Sequence, residues 1–480
     1  MKPLGSRCEV AWTNYKAVIV RLTAVVSRQE DRIAVRQRIL TRLERLISPV
    51  AASATADGWP YGRALRRYDV EGTVRAEPGV LYVANVALAA EQLPVGPIVA
   101  LAPDYHQAQC WYVGSGPTLY RTLNTGDGWE PLVDFAVSGG ESEETISLVR
   151  ASPAVPGLVA VVTKIGFDGG TRVHVSRDCG DRWVLVNRSN FAVRDIAWSI
   201  RDGTPLLLLA TDTGLYELPL VEGGSPVQVV VAADNTALGF WSVAVHEDRR
   251  GAGSFVAVAA DGRGGVFISR SGGSSGSFQP TGLANRDVVT LAVQSAGARA
   301  FLWAGFRIAG TGAEAGGAAR YELAAKPPAD GWVSFTEGWE GGSCFALGFT
   351  REGWTIAGSH SEGVLRLAPR DGARWEAARG DVGLPVRDEQ VAGQERQLHP
   401  VAAVGVDQSS RGAQEDRILV GTGQGVYRAA APGGPYEAVT HRAAFRTALR
   451  ETITLPPTWL FCSGEHEVSV VTEDEAERGS

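Results

Sequence analysis

The chain is poor in the residues that build stapled or metal-bound scaffolds. Its five cysteines, Cys8, Cys110, Cys179, Cys344 and Cys462, are scattered and odd in number, with no CxxC pair. That excludes a zinc ribbon and a disulfide framework and favours reduced thiols, as in a cytoplasmic protein. Seven histidines are present, none spaced i, i+4 from another, and no HExxH occurs. No GxxxxGK[ST] loop is present, and the clusters GRGG (262–265) and GTGAEAGG (310–317) read as hairpin turns. No apolar run of 18 residues exists, so no helical span is expected. The first residues lack an unbroken apolar core and a small-residue cleavage site, so no signal peptide is expected. Neither a cofactor nor a metal is implied.

What the 480 residues do have is glycine, 58 of them, and 13 tryptophans. Many tight turns with many aromatic anchors point to β structure. The net charge of -7 is unevenly placed: residues 1–90 carry 14 basic against 8 acidic side chains, so a basic head precedes an acidic body. No aromatic interleaving of the basic residues suggests nucleic acid.

In the head, KAVIVRLTAVV (16–26) reads as a strand. Ser27 and Glu30 are spaced as a capping box for a helix running to about Ile47. Ile33, Leu40, Leu43 and Ile47 form its expected apolar stripe, with Arg38, Arg42 and Arg45 on another face. A turn follows at Gly58, Trp59, Pro60, Tyr61, Gly62 and Arg63, and PGVLYVANVAL (78–88) reads as a second strand. The expected order is strand–helix–loop–strand, a small α+β unit.

The body repeats. A glycine followed by an apolar–aromatic pair recurs seven times, with reference positions Tyr120, His174, Tyr216, Phe267, Tyr321, Leu365 and Tyr427, 42 to 62 residues apart. Apolar strand pairs precede the copies, which gives three strands, and a fourth after each, per unit. The expectation is a mainly β fold, a seven-bladed β-propeller over residues 95–472 with a small N-terminal α+β domain over 1–90 and an acidic flexible tail over 473–480. The segment 458–473 reads as two strands that complete a blade or close the ring with N-terminal sequence.

Two copies are followed by the same spacing of Ser/Thr, Asp/Asn, Gly and Trp. It is Thr122, Asn124, Gly126 and Trp129 in the first, and Ser176, Asp178, Gly180 and Trp183 in the second. A decayed third has Ser269, Ser271, Gly273 and a displaced Phe278. The parts are structural: the acid or amide bonds its own turn, Gly takes the left-handed position, and Trp packs. Cys179 and His174 read as a spectator and a packed structural side chain.

This pattern resembles the Asp-box, or BNR repeat, of sialidases, sortilin-like receptors and photosystem-assembly propellers. That resemblance implies that the motif lies between the third and fourth strands of a blade. The head resembles the C-terminal domain of baseplate J-like proteins of contractile phage tails, on RLERLISPV, DGWPYGR and EPGVLYVANVAL. The family's large N-terminal part is absent, and RRYDVEGTVRAE lacks the usual apolar helix. Together these imply a non-enzymatic component of a contractile injection system, made in the cytoplasm. The head would dock to baseplate or wedge proteins, and the propeller would offer a surface to a protein or glycan, without nucleic acid or membrane insertion. The alternatives are a sialidase-like glycoside hydrolase and a free assembly factor. FRIAG (306–310) looks like the sialidase Phe/Tyr-Arg-Ile-Pro motif but lacks its proline and follows the Asp-boxes.

Overall fold

The computed structural model describes residues 14–49, 59–60, 62–90, 94, 96–136, 144–166, 170–201, 203–220, 225–248, 253–297, 299–308, 316–324, 331–370, 372–377, 383–387, 397–407, 416–439, 451–454 and 459–478. The chain opens with β1 (Asn14–Val26), α1 (Arg32–Ile47), β2 (Leu65–Arg66), α2 (Arg67–Arg75) and β3 (Val80–Ala90). Seven four-stranded antiparallel sheets follow. The first holds β4 (Ile98–Pro103), β5 (Trp111–Ser115), β6 (Thr118–Thr122) and β7 (Glu130–Asp134). The second holds β8 (Glu144–Ala151), β9 (Val159–Ile165), β10 (Thr171–Ser176) and β11 (Val184–Ser189), and the third β12 (Val193–Arg201), β13 (Thr204–Thr211), β14 (Gly214–Pro219) and β15 (Val227–Val229). The fourth holds β16 (Phe240–Asp248), β17 (Gly253–Ala260), β18 (Val266–Ser269) and β19 (Phe278–Gly282), and the fifth β20 (Val288–Ala296), β21 (Arg299–Phe306), β22 (Ala318–Glu322) and β23 (Val333–Phe335). The sixth holds β24 (Cys344–Phe349), β25 (Thr355–Ser359), β26 (Val364–Leu367) and β27 (Glu376–Ala377), and the seventh β28 (Val401–Asp407), β29 (Arg417–Thr422), β30 (Gly425–Ala429) and β31 (Glu437–Ala438). The chain ends with β32 (Thr452–Ile453), β33 (Trp459–Ser463), β34 (Glu467–Thr472) and α3 (Glu473–Arg478).

These sheets are the seven blades of a propeller. Their first strands touch in a closed cycle, β4–β8–β12–β16–β20–β24–β28 and back to β4. Closure therefore needs no strand exchanged between the ends of the ring, because β28 packs directly on β4. Between blades the sheets bury aliphatic faces against each other. One such core joins Val173 and Val186 of blade 2 to Ile196 and Leu209 of blade 3. Another joins Leu208 and Leu215 of blade 3 to Phe240, Val256 and Phe278 of blade 4. Burial of this kind contributes roughly 25 cal/mol per Å² and is the main force holding a ring of sheets together. All seven reference positions read from the sequence repeat lie on the third strand of their blade.

The chain divides into two compact units, residues 1–93, 120–141 and 442–480 in the first, and 94–119 with 142–441 in the second. In the first, β1 is the centre of a sheet, antiparallel to β3 and parallel to β33 and then β34. The expectation that residues 458–473 serve a blade is corrected here. They pair with N-terminal sequence, but in the head's sheet, and Phe461 and Val468 enter its core beside Val18, Val20 and Leu22. The buried alternation of β1 has one face to fill, and β1 and β3 alone would make only a marginal two-stranded sheet. The tail is corrected too: residues 473–478 form α3, tied by Arg28 to Asp474 and by Arg32 to Glu475 at 2.9 Å.

Helix α1 starts at Asp31, whose carboxylate accepts from the Ile33 and Ala34 N–H groups, not at Ser27. Ser27 instead closes a turn with the Glu30 N–H. Its buried stripe is Val35, Ile39, Leu43 and Ile47, an exact i, i+4 ladder, and Ile33 is left 82% exposed. Arg38 and Arg42 are not a purely solvated face, since both bond the buried Glu77. Burial pushes the Glu77 carboxyl up, but those two hydrogen bonds outweigh it and hold it below its usual range. The RRYDVEGTVR segment, expected as loop, forms α2, with Val70 and Val74 buried. Also in this unit Lys16, 1% exposed, donates to Glu130 at 3.2 Å and to the Thr454 carbonyl, and Arg121 lies 3.6 Å from the same carboxylate.

Between β33 and β34 the pairing with β1 breaks at Ile19 and Val20. The His466 side chain fills the break. Its Nδ1 accepts the Val20 N–H at 3.1 Å, and Nε2 bonds the Ser463 hydroxyl at 2.9 Å. Burial pushes the imidazole down to about 4. Between that pH and the unfolded value of about 6.5, the unfolded chain binds a proton that the folded chain refuses. Stability is therefore expected to be full above about pH 6.5 and to fall progressively as pH drops to about 4. Chemical denaturation across this range measures it; a His466→Gln variant should show a flatter profile, and an equal slope would contradict the assignment.

Candidate functional site

The functional geometry follows from one repeated irregularity. In all seven blades the first strand carries one residue more than its partner near its start. The extra residues are Val99, Ser147, Arg194, Trp241, Val289, Phe345 and Ala402. A bulge re-aims the side chain it carries. Six of the seven line one mouth of the central channel; Ser147 instead bonds the Val162 carbonyl at 3.2 Å. The channel has a volume of about 700 Å³.

The mouth is lopsided. Val99 and Phe345 are large apolar side chains left 47% and 36% exposed. Across from them the guanidinium of Arg194 lies 4.0 Å from the centre of the Trp241 ring, and that of Arg307 4.7 Å from it. Both cations are paired, Arg194 with Asp261 at 2.7 Å and Arg307 with Asp287 at 2.8 Å. Trp241 Nε1 also donates to Asp261, at 2.9 Å. Burial raises the Asp261 carboxyl, but the Arg194 bond and the Gly262 N–H overcome it and hold the group below its usual range. The cluster is thus charged, internally neutral and fixed by its own bonds.

One layer deeper, Asp195 ties four blades together. Its Oδ1 accepts from Arg150 of blade 2 and from the Ile196 N–H, both at 2.9 Å. Its Oδ2 accepts from Ser242 of blade 4 at 2.6 Å and from the Val243 N–H at 3.2 Å. Ser242 in turn accepts the Leu291 N–H of blade 5. Every lone-pair direction of this buried carboxylate is used. Asp195→Ala strips the partner from Arg150 and Ser242, and a loss of about 2–3 kcal/mol in urea unfolding is expected.

The Asp-boxes sit elsewhere, between the third and fourth strands of blades 1, 2 and 4. In blade 1 the Thr122 hydroxyl donates to Asn124 at 2.8 Å and accepts the Gly126 N–H at 2.9 Å, and Asn124 accepts the Gly128 N–H at 2.9 Å. In blade 2 Ser176, Asp178, Gly180 and Arg182 repeat these bonds, each at 2.8 Å. In blade 4 Ser269 accepts the Gly273 N–H, and Ser277, not Ser271, makes its short hydroxyl bond, at 2.6 Å. Each box has two successive left-handed residues, Thr125–Gly126, Cys179–Gly180 and Gly272–Gly273, so Cys179 holds a constrained backbone position. The tryptophans differ: Trp129 is fully buried, whereas Trp183 is half-exposed and bonds its own turn at the Gly180 carbonyl. The expectation that the Trp packs holds fully for Trp129 and only in part for Trp183. Phe278 is buried in the core between blades 3 and 4.

In the head turn, Trp59 packs edge-on to Phe461, donates to the Arg63 carbonyl at 2.9 Å, and Arg63 pairs with Asp69 at 2.6 Å. Pro60 and Gly62 belong to this turn, while Gly58 and Tyr61 lie outside the described residues. His174 packs 3.4 Å from the buried Glu144, with Arg172 on the same carboxylate at 2.5 Å, and burial pushes its imidazole down. His360 meets Phe345 edge-on. Among the described residues no group of three or more acidic, His or Cys side chains could hold a metal, and no helix is long and apolar enough to cross a membrane.

The bulge residues were not singled out from the sequence. A signal exists: Arg194–Asp195 interrupts an apolar strand with two polar residues in a row, which breaks strict alternation by one position.

No protein-family model matches the chain, and no curated protein does. Among solved structures it is similar to a GH74 xyloglucanase from Xanthomonas campestris, with a TM-score of 0.50, 16% identity and coverage of 75% of this chain and 55% of that one. It is also similar to YCF48 from Cyanidioschyzon merolae, at a TM-score of 0.43, 13% identity and coverage of 70% and 96%, and to the Dos1 propeller, at 0.43, 10%, and 72% and 94%. The chain spans about half the length of the xyloglucanase. At such identities the likeness concerns fold alone, and the chain is a seven-bladed β-propeller with a small α+β head.

Proposed function

We propose that this chain is a non-catalytic binding and assembly protein. Its head docks onto baseplate or wedge proteins of a contractile tail-like particle in the cytoplasm, and its propeller takes a protein or glycan at the channel mouth. The observation that carries the binding reading is the mouth itself: exposed apolar side chains on one side and an ion-paired Arg–Trp–Arg cluster across from them. Of the residues lining the channel, Asp195 and Glu247 are the carboxylates. Asp195 is saturated and Glu247 accepts the Ile200 N–H at 2.8 Å. A glycosidase instead needs two carboxyls facing one bond, about 5 to 10 Å apart. The docking reading is supported by the head's resemblance to the baseplate J-like C-terminal domain.

Sucrose-gradient sedimentation of the full chain with purified contractile particles tests the docking. Co-sedimentation with sheath, tube and wedge proteins is expected. A chain that stays at the top of gradients containing assembled particles contradicts it.

A further inference from the structure

The C-terminal segment is joined to the head's sheet in two pieces. β33 pairs with β1 from Asn14 to Val18, β34 pairs with it from Arg21 to Val26, and His466 fills the break between them. We propose that this segment is an acid-released strap: a proton taken up by His466 splits its joint with β1 at Val20, and β33, β34 and α3 open while the blades stay folded. The hydrogen bonds supply the reason. Nδ1 accepts the Val20 N–H at 3.1 Å, so the single ring proton of the neutral imidazole is on Nε2, where it faces the Ser463 hydroxyl at 2.9 Å. A second proton has only Nδ1 to go to, and there it meets the Val20 N–H donor against donor. The bond does not survive protonation. The ring has room to leave, because a hollow of about 560 Å³ adjoins it, lined also by Thr23 and Asn85.

The neighbours offer an imidazolium no free carboxylate. The charged groups lining the same hollow are Arg21 of β1, Arg36 of α1 and Glu467 of β34, and β3 brings the uncharged amide of Asn85. Arg21 already grips Glu467, with Nε at 2.8 Å and Nη2 at 2.9 Å. Arg36 donates from Nε to the Val468 carbonyl at 3.0 Å. Glu465, one residue before the ring, is exposed. Burial acts in the same direction and pushes the imidazole down to about 4. The outer ties of the strap weaken with acid as well: Asp474 to Arg28 and Glu475 to Arg32 are exposed ion pairs that hold little in water. Burial of Phe461 and Val468 does not titrate and keeps the strap closed near neutrality. The seven blade sheets contain no C-terminal strand, so the joint is no part of the ring. Opening bares the edge of β1 from Arg21 to Val26, a template for another strand.

Hydrogen–deuterium exchange of the full chain, read peptide by peptide at about pH 7.5 and about pH 5 and corrected for intrinsic exchange, tests this. The opening constant of residues 459–472 is expected to rise by about tenfold or more on acidification, since the open strap takes up the proton that the closed one refuses. Peptides of β13, β17 and β21 are expected to keep their protection. His466→Gln retains an acceptor for the Val20 N–H but does not titrate, so it should lose most of the rise. Glu467→Gln, which removes the exposed pair with Arg21, should keep the rise. If His466→Gln fails to fold, the wild type and Glu467→Gln still decide. Unchanged protection of residues 459–472 at the lower pH would overturn the proposal, water from the hollow then standing in for the ring at Val20. An equal loss in the blade strands would overturn it too, because the opening would then be global. So would a rise that His466→Gln retains or that Glu467→Gln abolishes.

Discussion

A chain ending at residue 455 is expected to lose the cooperative unfolding of its head and to melt at a markedly lower temperature. The reason is the central place of β1. It has β3 on one side and β33 with β34 on the other, and both flanks close one core. Truncation removes Phe461 and Val468 from that core, the His466 plug of the Val20 N–H, and the α3 partners of Arg28 and Arg32. What remains is β1 with β3, two strands that keep only the helices on one face to support them and lose one flank of their sheet. Calorimetry of the full and shortened chains reads the effect directly. An unchanged melting profile would show that the C-terminal strands are dispensable and would contradict the topology.

The second large effect is expected at Trp129. Trp129→Ala should cost about 3–5 kcal/mol, the range for truncating a fully buried aromatic. Trp183→Ala, at the equivalent position of the next Asp-box, should cost only about 1–2 kcal/mol, because its ring is half-exposed and its Nε1 serves its own turn. Urea unfolding of both variants gives the comparison. Equal losses would mean that the two boxes anchor their blades alike, against the burial difference seen between them.

The Asp-box contrast shows what sequence spacing can and cannot carry. Thr122–Asn124–Gly126 and Ser176–Asp178–Gly180 were legible because their bonds are local: side chain to backbone within four residues. How deep the following Trp is buried depends on what the neighbouring strands bring to it, and spacing says nothing of that. The blades were legible for a related reason, since each third strand repeats a glycine before an apolar–aromatic pair. The fate of residues 458–473 was only half legible. Their strand character is local, but the choice between a blade and the head's sheet rests on Val18 and Phe461, more than 400 residues apart in the chain. Ile33 shows the reverse failure: it fits an apolar stripe by spacing, yet it lies two residues before the buried Val35, which puts it on the side of the helix turned away from the core. The channel mouth was least legible. Its residues share a register shift rather than a residue type, so Val99, Trp241 and Phe345 look unrelated until the strands are paired.

The measurement that most directly tests a binding rather than a catalytic propeller is a hydrolysis assay of the purified full chain on fluorogenic sialosides and β-glucosides and on xyloglucan. The expected result is product release no faster than in buffer, with wild type, Asp195→Asn and Glu247→Gln indistinguishable. Release well above buffer that either substitution abolishes would contradict it, because a carboxylate described here as structural would then be turning over substrate.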